Sequence, residues 1–246
     1  MVVGFVGSGS MAAAMARGLV GDVEGMLFTD GGSGRAAELA REVGGEAVGA
    51  NGELARRADV VVLAVKPAEL EEVAAELAEA EVVVSLLGAT SLAKVEAAFP
   101  EAEVVRAMPN VAVEVRRGVI CLAGSESQPA RWVLALLGRV VELQDSEFDA
   151  ATAVMGCAPA YLALAVEALA DAGAEAGLDG ELARELVVET AAGTAELLRR
   201  RHPADVRRAV ASPGGSTEAG LEALDREGAR GAFEAAVRAS LERMRG

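Results

Sequence analysis

Val2-Val3-Gly4-Phe5-Val6-Gly7-Ser8-Gly9-Ser10-Met11-Ala12 is the stretch on which the fold turns. A short β-branched and aromatic run ends in a glycine-punctuated turn, and an alanine-rich stretch of helical period follows. The order G-x-G-x-x-A between a strand and a helix is the arrangement that holds the pyrophosphate of a dinucleotide. Gly7 permits the tight turn. Gly9 keeps a Cβ away from an approaching phosphate, and Ala12 lets the helix pack close to the strand. The helix start then offers N–H groups and the positive end of a dipole to the anion. Gly7, Ser8, Gly9, Ser10 and Met11 are the expected pyrophosphate residues.

Working outward, the pattern repeats. Val2–Val6, Met26–Thr29, Asp59–Val65, Val82–Leu87 and Val104–Ala107 read as strands, and Gly118–Leu122 and Val140–Leu143 add two more. Ser10–Val20, Ser33–Glu42, Pro67–Ala78, Ser91–Phe99 and Pro129–Leu137 read as helices between them. The unbroken apolar run from Val60 to Val65 suits a strand buried on both faces. Alternating strands and helices predict an α/β fold, a Rossmann-type, mostly parallel sheet, over residues 1–147. From Phe148 onward no strand pattern is present, and 148–246 reads as an all-helical dimerisation and substrate domain. Its helices are expected at Ala158–Ala176, Gly180–Arg200, Ala204–Ala211, Thr217–Asp225 and Ala229–Arg245, with caps or turns at Gly177 and Gly215. Ala160–Ala174 is apolar around most of its circumference, which predicts burial against a second copy of the chain.

Composition narrows the partners. Hydrophobic residues make up 52% of the 246, enough for a substantial core. A net charge of −15 repels phosphate backbones, so no nucleic-acid partner is expected. No apolar run reaches the roughly 18 residues of a membrane span, so no membrane partner is expected. The start lacks a secretory signal pattern, and Cys121 and Cys157 make neither a disulfide framework nor a metal site; a cytoplasmic location follows as an expectation. The single histidine, His202, excludes any mechanism needing a histidine pair and reads as a helix-boundary residue; Tyr161 reads as a packed helix residue. Of the 23 basic residues only Lys66 and Lys94 are lysines, which singles out Lys66 at a strand end as a place where an ammonium is wanted.

The residues after the second strand should read the adenosine ribose. Asp30 stands where an acid accepts from a ribose 2′-hydroxyl, which favours NAD. Gly31–Gly34 with Ser33 and Arg35 could equally cradle a 2′-phosphate, which favours NADP. Both readings remain open at this point.

Several segments together resemble the Δ1-pyrroline-5-carboxylate reductase family along the whole chain. They are Gly4–Ala12, Asp59–Pro67, Arg106-Ala107-Met108-Pro109-Asn110, Ala158-Pro159-Ala160-Tyr161 and, most specifically, Ser212-Pro213-Gly214-Gly215-Ser216-Thr217, followed by Glu222 and Gly228–Gly231. The resemblance implies hydride delivery from NADP(H), or alternatively NAD(H), to the C=N carbon of a small cyclic imino acid, giving proline. It implies that Asn51 contacts the adenosine ribose, that Ala64, Lys66 and Pro67 line the cofactor pocket, and that Met108 and Asn110 lie near the nicotinamide. It also implies a homodimer, with dimers assembled into a larger ring. The chemistry agrees. Backbone N–H groups of Gly214, Gly215, Ser216 and Thr217 at a turn opening a helix suit a substrate carboxylate. Ser212 belongs to the same catalytic turn, and the Thr217 hydroxyl is placed to hydrogen-bond the ring nitrogen. A simpler role for the segment is a helix cap supplied by Ser216.

The chain departs from the family pattern near the expected substrate. Ser-Gly-Ser-Gly becomes Met155-Gly156-Cys157-Ala158, Thr-Pro after the asparagine becomes Val111-Ala112, and Ala-Ala-Gly becomes Leu87-Gly88-Ala89. These changes keep a related, larger cyclic imine as an alternative substrate. A β-hydroxyacid-dehydrogenase-like oxidoreductase is a second alternative, but such enzymes take a lysine from the helical half as acid/base, and no lysine follows Lys94. A nucleotide-binding protein without turnover is a third, countered by the presence of Thr217.

Overall fold

The computed structural model describes residues 1–245. The first strands and helices alternate as β1 (Val2–Val6), α1 (Ser10–Leu19), β2 (Gly25–Thr29), α2 (Arg35–Val43), β3 (Glu46–Ala47), α3 (Asn51–Arg57), β4 (Val60–Leu63), α4 (Leu70–Glu76), β5 (Val82–Ser85) and α5 (Leu92–Ala98). They continue through β6 (Glu103–Pro109), β7 (Gly118–Gly124), α6 (Gln128–Leu136) and β8 (Gly138–Glu142). The eight strands form one sheet in the order 3-2-1-4-5-6-7-8, with β6 and β7 antiparallel and all other pairs parallel. Strand order reverses between β1 and β4, the switch point beside which ligands bind in open α/β sheets.

Alternation along the strands explains both cores. Val3, Phe5, Val60 and Val62 face one apolar cluster, and Val61, Leu63 and Leu54 face the other. Phe5 and Phe28 stack with centroids 5.3 Å apart in the first. Helices cover both faces, so β4 and β5 are buried at every residue and show no polar alternation.

Several elements lie where no structure was expected, among them β3, α3 and the short helical turns Val111–Val115, Asp145–Glu147, Phe148–Ala151 and Thr152–Gly156. β3 pairs with β2 through only two residues, both exposed, too short to leave a pattern. α3 buries only Leu54 and Ala55 on a seven-residue helix, less than one full repeat of an amphipathic face. The expected helix over 67–78 is a 3₁₀ turn at Pro67–Glu69 followed by α4, and β4 stops at Leu63.

The chain divides into two compact units, Met1–Cys157 with the last residues from Leu241, and Ala158–Ser240. The division falls after 147 because Phe148 is fully buried against Cys121 and Ala123, which ties α7 (Phe148–Ala151) and the π-helical turn Thr152–Gly156 to the first unit. The second unit holds α8 (Ala158–Glu175), α9 (Gly180–Leu198), α10 (Pro203–Val210), α11 (Ser216–Arg226) and most of α12 (Ala229–Arg245). Gly177 turns the chain between α8 and α9 with φ +105°, and His202 caps α10, its Nδ1 accepting from the Ala204 amide at 3.3 Å. The Tyr161 hydroxyl lies 2.6 Å from Ser240 Oγ, joining α8 to α12. Leu162, Leu164 and Leu169 of α8 are 62–64% exposed within the single chain. The expectation that no stretch has the length and apolarity of a membrane span is corrected: the helical stretch Asp145–Glu175 contains an 18-residue window with a mean hydropathy of 1.7, long and apolar enough by composition. Its composition, rich in Ala and Leu with few charges, is also that of a helix covered by a second subunit.

Candidate active site

In the first unit a cleft of about 670 Å³ opens beside the β1/β4 switch point. It is walled by the β1–α1 turn, the loop after β2, the start of α3 and the end of β4. Gly7 has φ +93°, and a Cβ there would stand 2.6 Å from the Ala64 carbonyl oxygen. Its amide donates to Thr29 O at 3.1 Å, and Ser8 Oγ donates to the same oxygen. Gly9 is the N-cap of α1, and a Cβ there would meet nothing within 4 Å. The space above Gly9 is thus open, as a pyrophosphate requires. No side chain caps α1, and its first turn carries no acid, so its positive end faces the cleft uncompensated. Ser10 is exposed and Met11 half-buried at this end. These features fit a dinucleotide.

The loop after β2 resolves the conflict over Asp30 in one direction. Its Oδ1 accepts from the Gly32 amide at 2.8 Å; its Oδ2 accepts from the Ala36 amide at 2.8 Å and Ser33 Oγ at 2.9 Å. The Ala36 amide first, then the Ser33 hydroxyl and Gly32 amide, hold the carboxyl below the usual range for an aspartate. Asp30 braces the loop, and both of its oxygens are engaged. Gly32 and Gly34 adopt φ +85° and +82°, and Arg35 Nε donates to Ser33 Oγ at 3.1 Å, so Ser33 and Arg35 stand together on the cleft wall.

Across the cleft, Thr29 Oγ1 donates to Asn51 Oδ1 at 2.6 Å, and Asn51 Nδ2 donates to Glu76 at 2.7 Å. Ala64 and Lys66 line the wall; the Lys66 amide donates to Glu69 at 3.0 Å, capping the turn that begins at Pro67. Met108 and Asn110 do not line this cleft. Asn110 is buried, its Oδ1 accepting from the Val119 amide and its Nδ2 donating to Met155 O, each at 3.2 Å. Glu69, Glu72 and Glu76 also line the cleft and were not expected there; their spacing puts them on one side of the 3₁₀ turn and α4, but that spacing also describes an ordinary solvated face.

In the second unit, Ser212–Thr217 forms the turn into α11. Gly214 has φ +74°, and its amide donates to Glu218 Oε2 at 2.7 Å. The Gly215 amide donates to Ser212 O at 2.9 Å. The helix cap is Gly215, without a side-chain cap bond, so Ser216 is not the cap. Two of the expected carboxylate-binding amides, those of Gly214 and Gly215, are thus engaged within the turn, which leaves the amides of Ser216 and Thr217 at the helix start. Thr217 is exposed. Glu218 is the residue missed: an acid three places after the cap is a capping signal.

Residues 145–246 match the family model described as pyrroline-5-carboxylate reductase dimerisation, and residues 2–88 match that of NADP oxidoreductase, coenzyme F420-dependent. The pyrroline-5-carboxylate reductase of Thermus thermophilus is 36% identical over 99% of this chain and 97% of its own. That of Synechocystis is 37% identical over 78% of this chain and 76% of its own. A crystal structure of Plasmodium falciparum pyrroline carboxylate reductase with NADP bound superposes with a TM-score of 0.87 at 26% identity, covering 99% of this chain and 97% of that one. The chain belongs to the pyrroline-5-carboxylate reductase family.

Proposed function

We propose that this chain reduces 1-pyrroline-5-carboxylate to L-proline with NADPH, the last step of proline biosynthesis. The observation that carries the reading is the Ser212–Thr217 turn, whose remaining helix-start amides and exposed Thr217 suit a small ring bearing a carboxylate and a nitrogen. Bound NADPH supplies the hydride that adds to the C=N carbon while the nitrogen carries the proton. The chain's part is placement. The Ser216 and Thr217 amides hold the carboxylate, Thr217 Oγ1 holds the ring nitrogen, and Ser212 supports the turn by accepting the Gly215 amide. Gly7, Ser8, Gly9, Ser10 and Met11 seat the pyrophosphate, and Asn51, Ala64, Lys66 and Pro67 frame the rest of the cofactor. Ser33 and Arg35 take the 2′-phosphate, which makes NADP rather than NAD the cofactor; support comes from the engagement of both Asp30 oxygens inside the loop. Met108 and Asn110 stand beside the nicotinamide in this reading.

The enzyme is a homodimer, and the exposed leucines of α8 are the surface a second copy covers. Assembly of dimers into a larger ring and a cytoplasmic location are further parts of the proposal; two unbridged thiols, Cys121 and Cys157, support the latter. The test is oxidation of NADPH or NADH with pyrroline-5-carboxylate, its six-membered homologue and a 2-hydroxy acid. Turnover of the first with NADPH is expected. Turnover only of the homologue would move the substrate, and turnover only of the hydroxy acid would refute imine reduction.

A further inference from the structure

We infer that Arg106 is a positioning residue for the reaction, acting through the segment 145–157 that β6 clasps. Alternation puts Arg106 and Met108 on one face of β6, and Asn110 follows directly after the strand ends at Pro109. Each of them meets that segment. Arg106 Nη1 donates to Asp145 Oδ1 at 2.6 Å, and its guanidinium carbon lies 4.3 Å from the centre of the Phe148 ring. Met108 and Met155 pack against the same buried cluster as Phe148. Asn110 Nδ2 donates to Met155 O. Asp145 is anchored in turn by the Leu92 amide, 3.2 and 3.3 Å from its two oxygens. The far end of the segment is the π-helical turn, closed by the Cys157 amide on Thr152 O at 3.1 Å; such turns recur at functional sites.

Arg106 is only 5% exposed, and its Nε has no hydrogen-bond partner among the described residues. A buried guanidinium with an unmet donor, paired to the partly exposed Asp145, is a poor stabiliser, since an apolar side chain of similar volume often serves as well or better. A planar guanidinium does something leucine does not: it fixes direction, holding a carboxylate at its edge and an aromatic ring on its face. The inference rests on the proposed function in one respect, the placing of Met108 and Asn110 beside the nicotinamide. Arg106 sets where the Met108–Asn110–Met155 wall stands.

The test compares the full chain with Arg106→Met, Arg106→Lys and the pair Arg106→Met/Asp145→Asn. It reads kcat and KM for pyrroline-5-carboxylate, Kd for NADPH, Tm, and amide hydrogen exchange at 148–157. Arg106→Met is expected to lower kcat about tenfold or more, leave NADPH Kd unchanged because Arg106 does not line the cleft, and speed exchange at 148–157 but not at the β1–α1 turn. The paired variant removes both charges and recovers Tm without recovering kcat; Arg106→Lys keeps the charge and recovers kcat only in part. Recovery of kcat together with Tm in the paired variant overturns the inference, as does loss of kcat without faster exchange at 148–157. If the unmodified chain does not turn over pyrroline-5-carboxylate, the proposed function fails instead, and unchanged exchange in Arg106→Met still refutes the clasp.

Discussion

Lys66 and Arg35 are the two cations on the wall of the dinucleotide cleft, against four acids, Asp30, Glu69, Glu72 and Glu76. Three of those acids are committed to the protein's own donors: Asp30 to its loop, Glu69 to the Lys66 amide and Glu76 to Asn51. Arg35, beside Ser33 in the loop after β2, is the cation placed to meet a 2′-phosphate there. Arg35→Ala is expected to raise KM for NADPH about tenfold, the loss of one charge-assisted hydrogen bond, and to leave KM for NADH unchanged; steady-state kinetics with both cofactors checks it. Asp30→Asn is expected to cost about 1 kcal/mol of stability in a denaturant titration and to weaken NADPH more than NADH. A ribose-binding aspartate would give the reverse order. The pH dependence has a definite sign. Asp30 is held below its unfolded value, so its contribution is complete above about pH 4 and disappears as pH falls through the lower folded value. At the other site, Thr217→Ala is expected to lower kcat while leaving NADPH affinity unchanged; a large loss of cofactor binding would contradict the role given to Thr217.

The strand–turn–helix of β1 and α1 separates two uses of glycine. Gly7 is required by the protein itself, through its positive φ and the Ala64 carbonyl 2.6 Å from a Cβ position. Gly9 meets no protein atom within 4 Å, so only a ligand forbids a side chain there. Gly7→Ala is therefore expected to lose both stability, by about 2 kcal/mol, and NADPH binding. Gly9→Ala is expected to keep the Tm and lose NADPH affinity. Thermal unfolding with and without NADPH distinguishes the two, because a ligand raises Tm only where it binds. Equal stability losses in both variants would refute the assignment of Gly9. The turn was readable in the sequence because two glycines spaced G-x-G stand between a strand run and a helical period, Gly7 for the protein's own geometry and Gly9 for a ligand's. β3 and α3 were not, since a two-residue exposed strand and a helix burying only Leu54 and Ala55 leave no periodic trace.

At the scale of the whole molecule, the helical unit exposes residues that belong to a core. Leu162, Leu164 and Leu169 are more than three-fifths exposed, and only Ala170 of α8 is buried. The dimer is expected in sedimentation velocity at micromolar concentration. Leu164→Glu is expected to raise its dissociation constant about thirtyfold or more, as for a central interface residue, with the Rossmann unit still binding NADPH. An unchanged sedimentation coefficient would place the interface elsewhere. The same measurement reads whether dimers join into a ring.

Sequence alone determined the sheet-plus-helices plan and the glycine turn, because each is written in short-range order, alternation, helical period and a glycine-punctuated turn, whereas the Ser212–Thr217 segment stood out by its resemblance to the family. Sequence also marked α8 as a helix too apolar to stand alone. It did not decide between NAD and NADP, since Asp30, Ser33 and Arg35 admit both until the loop folds back and the Ala36 and Gly32 amides take the carboxylate. Nor did it show that the Gly214 and Gly215 amides are engaged by Glu218 and Ser212. The role of Arg106 was equally hidden, because its partners Asp145 and Phe148 lie about 40 residues away in the chain. Local order specifies which elements form. Which donor meets which acceptor depends on how distant segments close on one another, and only the tertiary structure decides that.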